Sequence, residues 1–119
     1  MSRDPKSFLP LKPVDFLLLL ALAEDEQHGY GLVQSISDRS QGMVELEPGN
    51  LYRVIKRLVD DGLIAPSSRR PAPDRDDERR RYYKLTPAGA RVAALEAQRL
   101  RQVLASPAAR ALRPLLEPA

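Results

Sequence analysis

The chain of 119 residues has no cysteine and a single histidine. No disulfide framework and no thiolate metal centre can form, and one imidazole falls short of the several nitrogen or sulfur ligands that a structural zinc takes. The same scarcity, with no glycine-rich phosphate loop, leaves no nucleophile–base pair or metal set from which to build an active site, so the reading is a non-enzyme without metal or cofactor. Long hydrophobic runs are also missing. The longest, Phe16 to Ala23, spans eight residues, far below the roughly 20 of a membrane-crossing helix. Residues 1–12 hold no apolar stretch of the secretory kind, and the expected location is the cytoplasm with no membrane partner. Nor is there a strong charge of one sign. A net charge of +3 with a pI near 9.5 is compatible with nucleic acid without requiring it, so the placement of charge matters more than its sum.

What is present is mostly helical pattern. Residues 1–12 are polar, carry two prolines and read as a loose N-terminal arm. A first helix is expected over about 13–24: Pro13 suits an opening turn, Asp15 lies near the positive end of the dipole, and "FLLLLALA" holds no β-branched residue. Its uniform apolarity predicts packing on nearly all sides. "EDEQHGYG" reads as a polar break. Leu32, Val33 and Ile36 then recur at helical spacing and give a second helix over Tyr30–Ser40, with Gly42 where a chain leaving a helix needs positive φ. The third helix is "PGNLYRVIKRLVDDGLI", residues 48–64. Pro48 suits the first position, and Leu51, Ile55, Leu58 and Val59 form an apolar stripe at i, i+4, i+7 and i+8. Arg53, Lys56, Arg57 and Asp60 fall on the other side.

"GLIAPS" and "RYYKL" read as two short strands. Between them residues 66–81, "PSSRRPAPDRDDERRR", hold six arginines, four acids and three prolines and no apolar period, the marks of a long loop. Thr86-Pro87 starts a fourth helix over about 87–105, and Ser106-Pro107 repeats that signal for a last short helix that Pro114 should end. The order helix, helix, helix, strand, charged loop, strand, helix predicts a mainly α fold with a small β-hairpin. The divisions are an arm at 1–12, a winged helix-turn-helix domain at 13–86 and a C-terminal helical segment for dimerisation at 87–119.

In such a domain the helix after the turn enters the DNA major groove and the hairpin loop lies along the backbone or minor groove. Both elements here carry positive charge. The candidate DNA-contacting residues are therefore Asn50, Tyr52, Arg53, Lys56 and Arg57 on the third helix, with Arg69, Arg70, Arg79, Arg80 and Arg81 in the loop. Each has a plainer reading. Arg53, Lys56 and Arg57 are otherwise a solvated face, Arg79 to Arg81 a solubilising charge block, and Tyr52 a ring packed beside the first helix. His28 reads as a turn hydrogen-bonding residue rather than a pH switch, and Tyr30 as a core or turn-packing residue. Tyr82 and Tyr83 alternate faces, so one packs inward and the other outward. Val92, Leu95, Leu100, Val103 and Leu104 supply the apolar content of the fourth helix. Dimerisation is its expected use, because a two-fold protein matches a palindromic operator and combines two weak half-site contacts. The competing function is a winged-helix protein-interaction module without DNA binding.

Three stretches, "LLLLALAEDEQHGYGL", "PGNLYRVIKRLVDDGLI" and "RRRYYKLTPAG", together resemble the PadR family of bacterial transcriptional regulators over about residues 14–95. His-Gly-Tyr, Gly-x-Leu-Tyr, Leu-x-x-x-Gly-Leu-Ile and Tyr-Tyr-x-Leu-Thr-x-x-Gly occur in order. The resemblance implies a winged-helix repressor, a homodimer through its C-terminal helix, that leaves its operator on double-stranded DNA when a small-molecule effector binds. An effector pocket formed by the first and fourth helices would be apolar. The chain departs from the family at Asn50, where Thr is usual, at Arg53, where Pro is usual, and at Gly31, where an acid is usual and whose glycine should weaken the start of the second helix.

Overall fold

The structure, a computed structural model, describes residues 3–68 and 81–116. Among these residues five α-helices and three short strands follow in the order α1 (Pro13–Glu24), β1 (Gln27–His28), α2 (Gly29–Arg39), α3 (Pro48–Asp60), β2 (Ile64–Pro66), β3 (Tyr82–Leu85), α4 (Pro87–Leu104) and α5 (Pro107–Leu112). Short 3-10 turns occupy Pro5–Phe8 and Arg113–Leu116. The strands form one antiparallel sheet in the order β1-β3-β2. Three helices leading into a sheet in which β2 and β3 pair antiparallel make a winged helix-turn-helix.

The helix starts are set by local chemistry. Thr86 and Ser106 accept hydrogen bonds from the N–H groups of Gly89 and Ala109, with proline following each cap. The imidazole Nδ1 of His28 accepts from Gly31 N–H at 3.1 Å and caps α2. That cap offsets the helix-weakening effect expected of Gly31, and α2 begins at Gly29, one residue before the expected start. Helix ends are equally local. Gly42 and Gly62 take φ of +76° and +79°, which lets the chain turn sharply out of α2 and α3.

The core gathers one face from each element: Leu18, Leu19, Ala21 and Leu22 of α1, Leu32 and Ile36 of α2, Leu51, Ile55 and Leu58 of α3, then Leu63, Ile64, Tyr83, Val92 and Ala93. Each fully buried leucine stabilises the fold by about 2 kcal/mol. One close approach fixes α4 on this core. A side chain at Gly89 would place its β-carbon 1.9 Å from the Leu63 carbonyl oxygen, so only glycine fits. The same carbonyl accepts from Thr86 N–H at 3.2 Å, and the Thr86 hydroxyl donates to Gly62 O at 2.7 Å.

Two expectations need correction. The polar break "EDEQHGYG" contains a strand, β1, whose residues pair Gln27 with Tyr83 and His28 with Tyr82. Two residues are too few to show a period, and partners 54 and more positions away make the strand. The N-terminal arm is not loose. Phe8, Leu9 and Leu11 pack on the core, and Leu11 N–H donates to Glu96 of α4 at 2.6 Å. Arg3 stacks over the Phe8 ring at 4.0 Å and stands 3.6 Å from Asp61.

Candidate nucleic-acid interface

Burial of Leu51, Ile55 and Leu58 fixes which side of α3 faces away from the core. The first turns expose Asn50 and Arg53, and Lys56 is exposed one turn on. Pro48 and Gly49 are also exposed, so the first residues of α3 are open to solvent, while Leu51 is already buried in the core. Tyr52 is half-buried, and its ring lies over the first turn of α2 rather than α1. Its hydroxyl oxygen would be 2.9 Å from a β-carbon at Gly29, so this packing depends on that glycine. The Tyr52 contact brings the start of α2 beside the start of α3. Tyr30 at that point is 77% exposed, against its expected place in the core or turn. The Tyr30 side chain therefore faces solvent.

Arg57 differs from its neighbours. Its two terminal nitrogens donate to the two carboxylate oxygens of Asp15, each at 2.9 Å, across 42 positions of sequence. Asp15 is buried in the first turn of α1, with 4% of its surface exposed. The hydrogen bond to Asp15 raises the Arg57 pKa above its ordinary value, outweighing the opposing effect of burial. The guanidinium expected to face DNA is therefore held against α1. Asp15, read as a dipole partner, is the buried charge that requires it. An acid within an otherwise apolar helix was the sequence signal for such a partner.

The wing begins and ends on the sheet. Ser67 N–H donates to Tyr82 O at 2.8 Å, and the Ser67 hydroxyl donates to the Glu26 carboxylate, closing the base of the loop. Arg81 is exposed immediately before β3. Arg69, Arg70, Arg79 and Arg80 lie outside the described residues. Tyr83 points inward and is buried, while Tyr82 is half-exposed and meets the His28 ring edge-on at 5.2 Å. His28 thus has the turn-stabilising place expected of it.

On α4, the five apolar residues expected to meet a partner divide along the helix. Val92 is 1% exposed and belongs to the core of its own domain, because the turn after Gly89 is pressed against Leu63. Leu95 and Leu100 are half-buried. Val103 and Leu104 are exposed at 52% and 68%, and with Leu112, Leu115 and Leu116 they make an uncovered apolar end. Glu96, 1% exposed, accepts from Leu11 N–H and from Arg99; the Arg99 bond, above all, holds its carboxyl below the ordinary glutamate pKa.

Among the described residues no group of three or more histidines and acids is placed to hold a metal ion. No helix among them is long and apolar enough to cross a membrane.

Residues 18–95, about two thirds of the chain, match the model of the "Transcriptional regulator PadR-like family". The transcriptional regulator Rv3488 of Mycobacterium tuberculosis is 37% identical over 83 residues, covering 70% of each chain. Among solved structures, a PadR family transcription regulator from hypervirulent Clostridium difficile superposes with a TM-score of 0.66 at 22% identity, over 89% of this chain and 100% of that one. A PadR-like transcriptional regulator from Bacillus cereus gives 0.64 at 19% identity, over 89% and 93%. At these identities the two structures speak for a shared fold.

Proposed function

The chain belongs to the PadR-like family of transcriptional regulators, and from that premise we propose that it binds a palindromic DNA operator as a homodimer and represses transcription. The observation that carries this reading is the exposed row Asn50, Arg53 and Lys56 on the side of α3 opposite its buried stripe. A helix anchored by one buried stripe and presenting donors on the other side has the dimensions and chemistry of a major-groove reader. In this reading Lys56 and Arg81 contact phosphates and supply affinity and salt dependence, while Arg53 and Asn50 meet base edges and supply discrimination. Arg57 is left out of the contact set because Asp15 holds it.

The exposed apolar end of α4 supports pairing with a second copy through Val103 and Leu104, with Leu95 and Leu100 at the margin. Two recognition helices one DNA turn apart, about 34 Å, would then address the two half-sites. Binding of the intact protein to the DNA upstream of its own gene tests the proposal. Arg53→Ala and Lys56→Ala should each weaken binding, and Lys56→Ala should also lower the dependence of log K on log salt by about one ion. Unchanged binding in both variants would sink the assignment of α3. A homodimer without salt-sensitive affinity for DNA would point instead to a protein-interaction module.

A further inference from the structure

One hydrogen bond of the sheet crosses its middle strand. The strand order is β1-β3-β2, so β3 separates the chain entering β1 from the chain leaving β2. Glu26 immediately precedes β1 and Ser67 immediately follows β2, yet the Ser67 hydroxyl donates to the Glu26 carboxylate. The bond therefore spans β3. At one end Ser67 is 4% exposed, and its N–H donates to the carbonyl of Tyr82, the residue after Arg81. At the other end Glu26 is tied to α1. Asp25 N–H and the Gln27 side chain both donate to the carbonyl of the buried Ala21, at 3.4 and 3.1 Å. β1 also runs directly into α2, whose first turn lies under the Tyr52 ring of α3.

We propose that Glu26 is a positioning residue for the wing: its carboxylate clamps Ser67, and with it the end of β3 at Arg81, in a fixed orientation to α3. Strands of two to four residues are shorter than the usual five or six, so the backbone ladder alone resists bending of β2 and β3 only weakly. A side-chain bond across all three strands removes that bending. Its consequence rests on the proposed function. Arg81 and the exposed row of α3 meet one duplex as two linked contacts, whose joint affinity depends on their relative geometry. Charge alone predicts the opposite sign, because removing an acid beside the wing would tighten binding to phosphates.

The test uses the intact protein, the duplex from upstream of its own gene, and amide hydrogen exchange at Ser67 without DNA. Glu26→Ala and Ser67→Ala should each weaken duplex binding about tenfold, the worth of one charge-assisted contact. Each should also lower the slope of log K against log salt by about one, as Arg81→Ala does. Added to Arg81→Ala, Glu26→Ala should change affinity by less than about twofold, because it acts through that residue. Glu26→Gln keeps an acceptor for the Ser67 hydroxyl and should restore binding and its salt slope. Tighter binding by Glu26→Ala overturns the proposal, and so does a loss that simply adds to that of Arg81→Ala. Ser67 amide exchange should be slow in wild type and Glu26→Gln and at least about fivefold faster in Glu26→Ala. That order in a protein that binds no duplex upholds the clamp and defeats the DNA reading. Equal exchange in all three overturns the clamp whether or not DNA binds.

Discussion

Replacing Arg57 with alanine decides between two roles for a basic residue on α3. If the residue serves to neutralise Asp15, its removal strands a carboxylate that is 4% exposed and was held by two 2.9 Å hydrogen bonds. Breaking a fully buried pair costs about 3–5 kcal/mol. Here the Arg57 side chain is 43% exposed, so solvent already screens one side of the pair. The first turn of α1 also favours a negative charge at Asp15. The expected loss is therefore about 2 kcal/mol, which lowers the Tm of a chain this size by about 8 °C. Thermal and urea unfolding at one fixed protein concentration would measure it, since self-association adds to apparent stability. Duplex binding across a salt series supplies the second readout. Arg57→Ala should leave the slope of log K against log salt unchanged, while Lys56→Ala lowers it by about one. The reasoning fails if Arg57→Ala changes stability by less than about 0.5 kcal/mol, the range of an ordinary surface change, and cuts the salt slope by one.

Gly89→Ala should destabilise the fold by about 3 kcal/mol or more, because its β-carbon would meet a backbone carbonyl that cannot swing away; unfolding at neutral pH checks this. Glu96 has its folded pKa lowered, so the stability it contributes is present above its unfolded pKa, about 4.3, and is lost as pH falls below it. Wild type and Glu96→Gln should accordingly differ most at neutral pH and converge in acid when melted side by side. Leu104→Glu, at a site 68% exposed, should leave the domain folded by circular dichroism and yield a monomer by light scattering. If the variant stays dimeric, the apolar end of α4 is not the interface.

The parts of this protein that could be read from sequence are those fixed by neighbours a turn away. The stripe Leu51, Ile55 and Leu58, the Thr86 and Ser106 caps with their prolines, and the outward face of Arg53 and Lys56 all depend on a helix repeat or a single turn. His28 was legible for the same reason, since its partner is Gly31. What escaped the sequence depends on contacts between distant segments. β1 exists because Tyr82 and Tyr83 supply partners for two residues with no pattern of their own. The arm is docked because Glu96, 85 positions away, accepts from Leu11. Val92 and Leu104 share one helix and one apolar character, yet the close fit of Gly89 on Leu63 buries the first and leaves the second in solvent.

Sequence alone thus determined the order of the helices and of the two hairpin strands, the amphipathic third helix and its charge, because hydrophobic period and capping act within a few residues. Tertiary structure decided what each charge is for. Arg53, Lys56 and Arg57 are equivalent along the chain, and only the folded arrangement brings Asp15 of α1 within hydrogen-bonding distance of one of them. A buried carboxylate must be paired, so the Arg57 guanidinium is held on Asp15 at the surface of α1, while Arg53 and Lys56 face solvent.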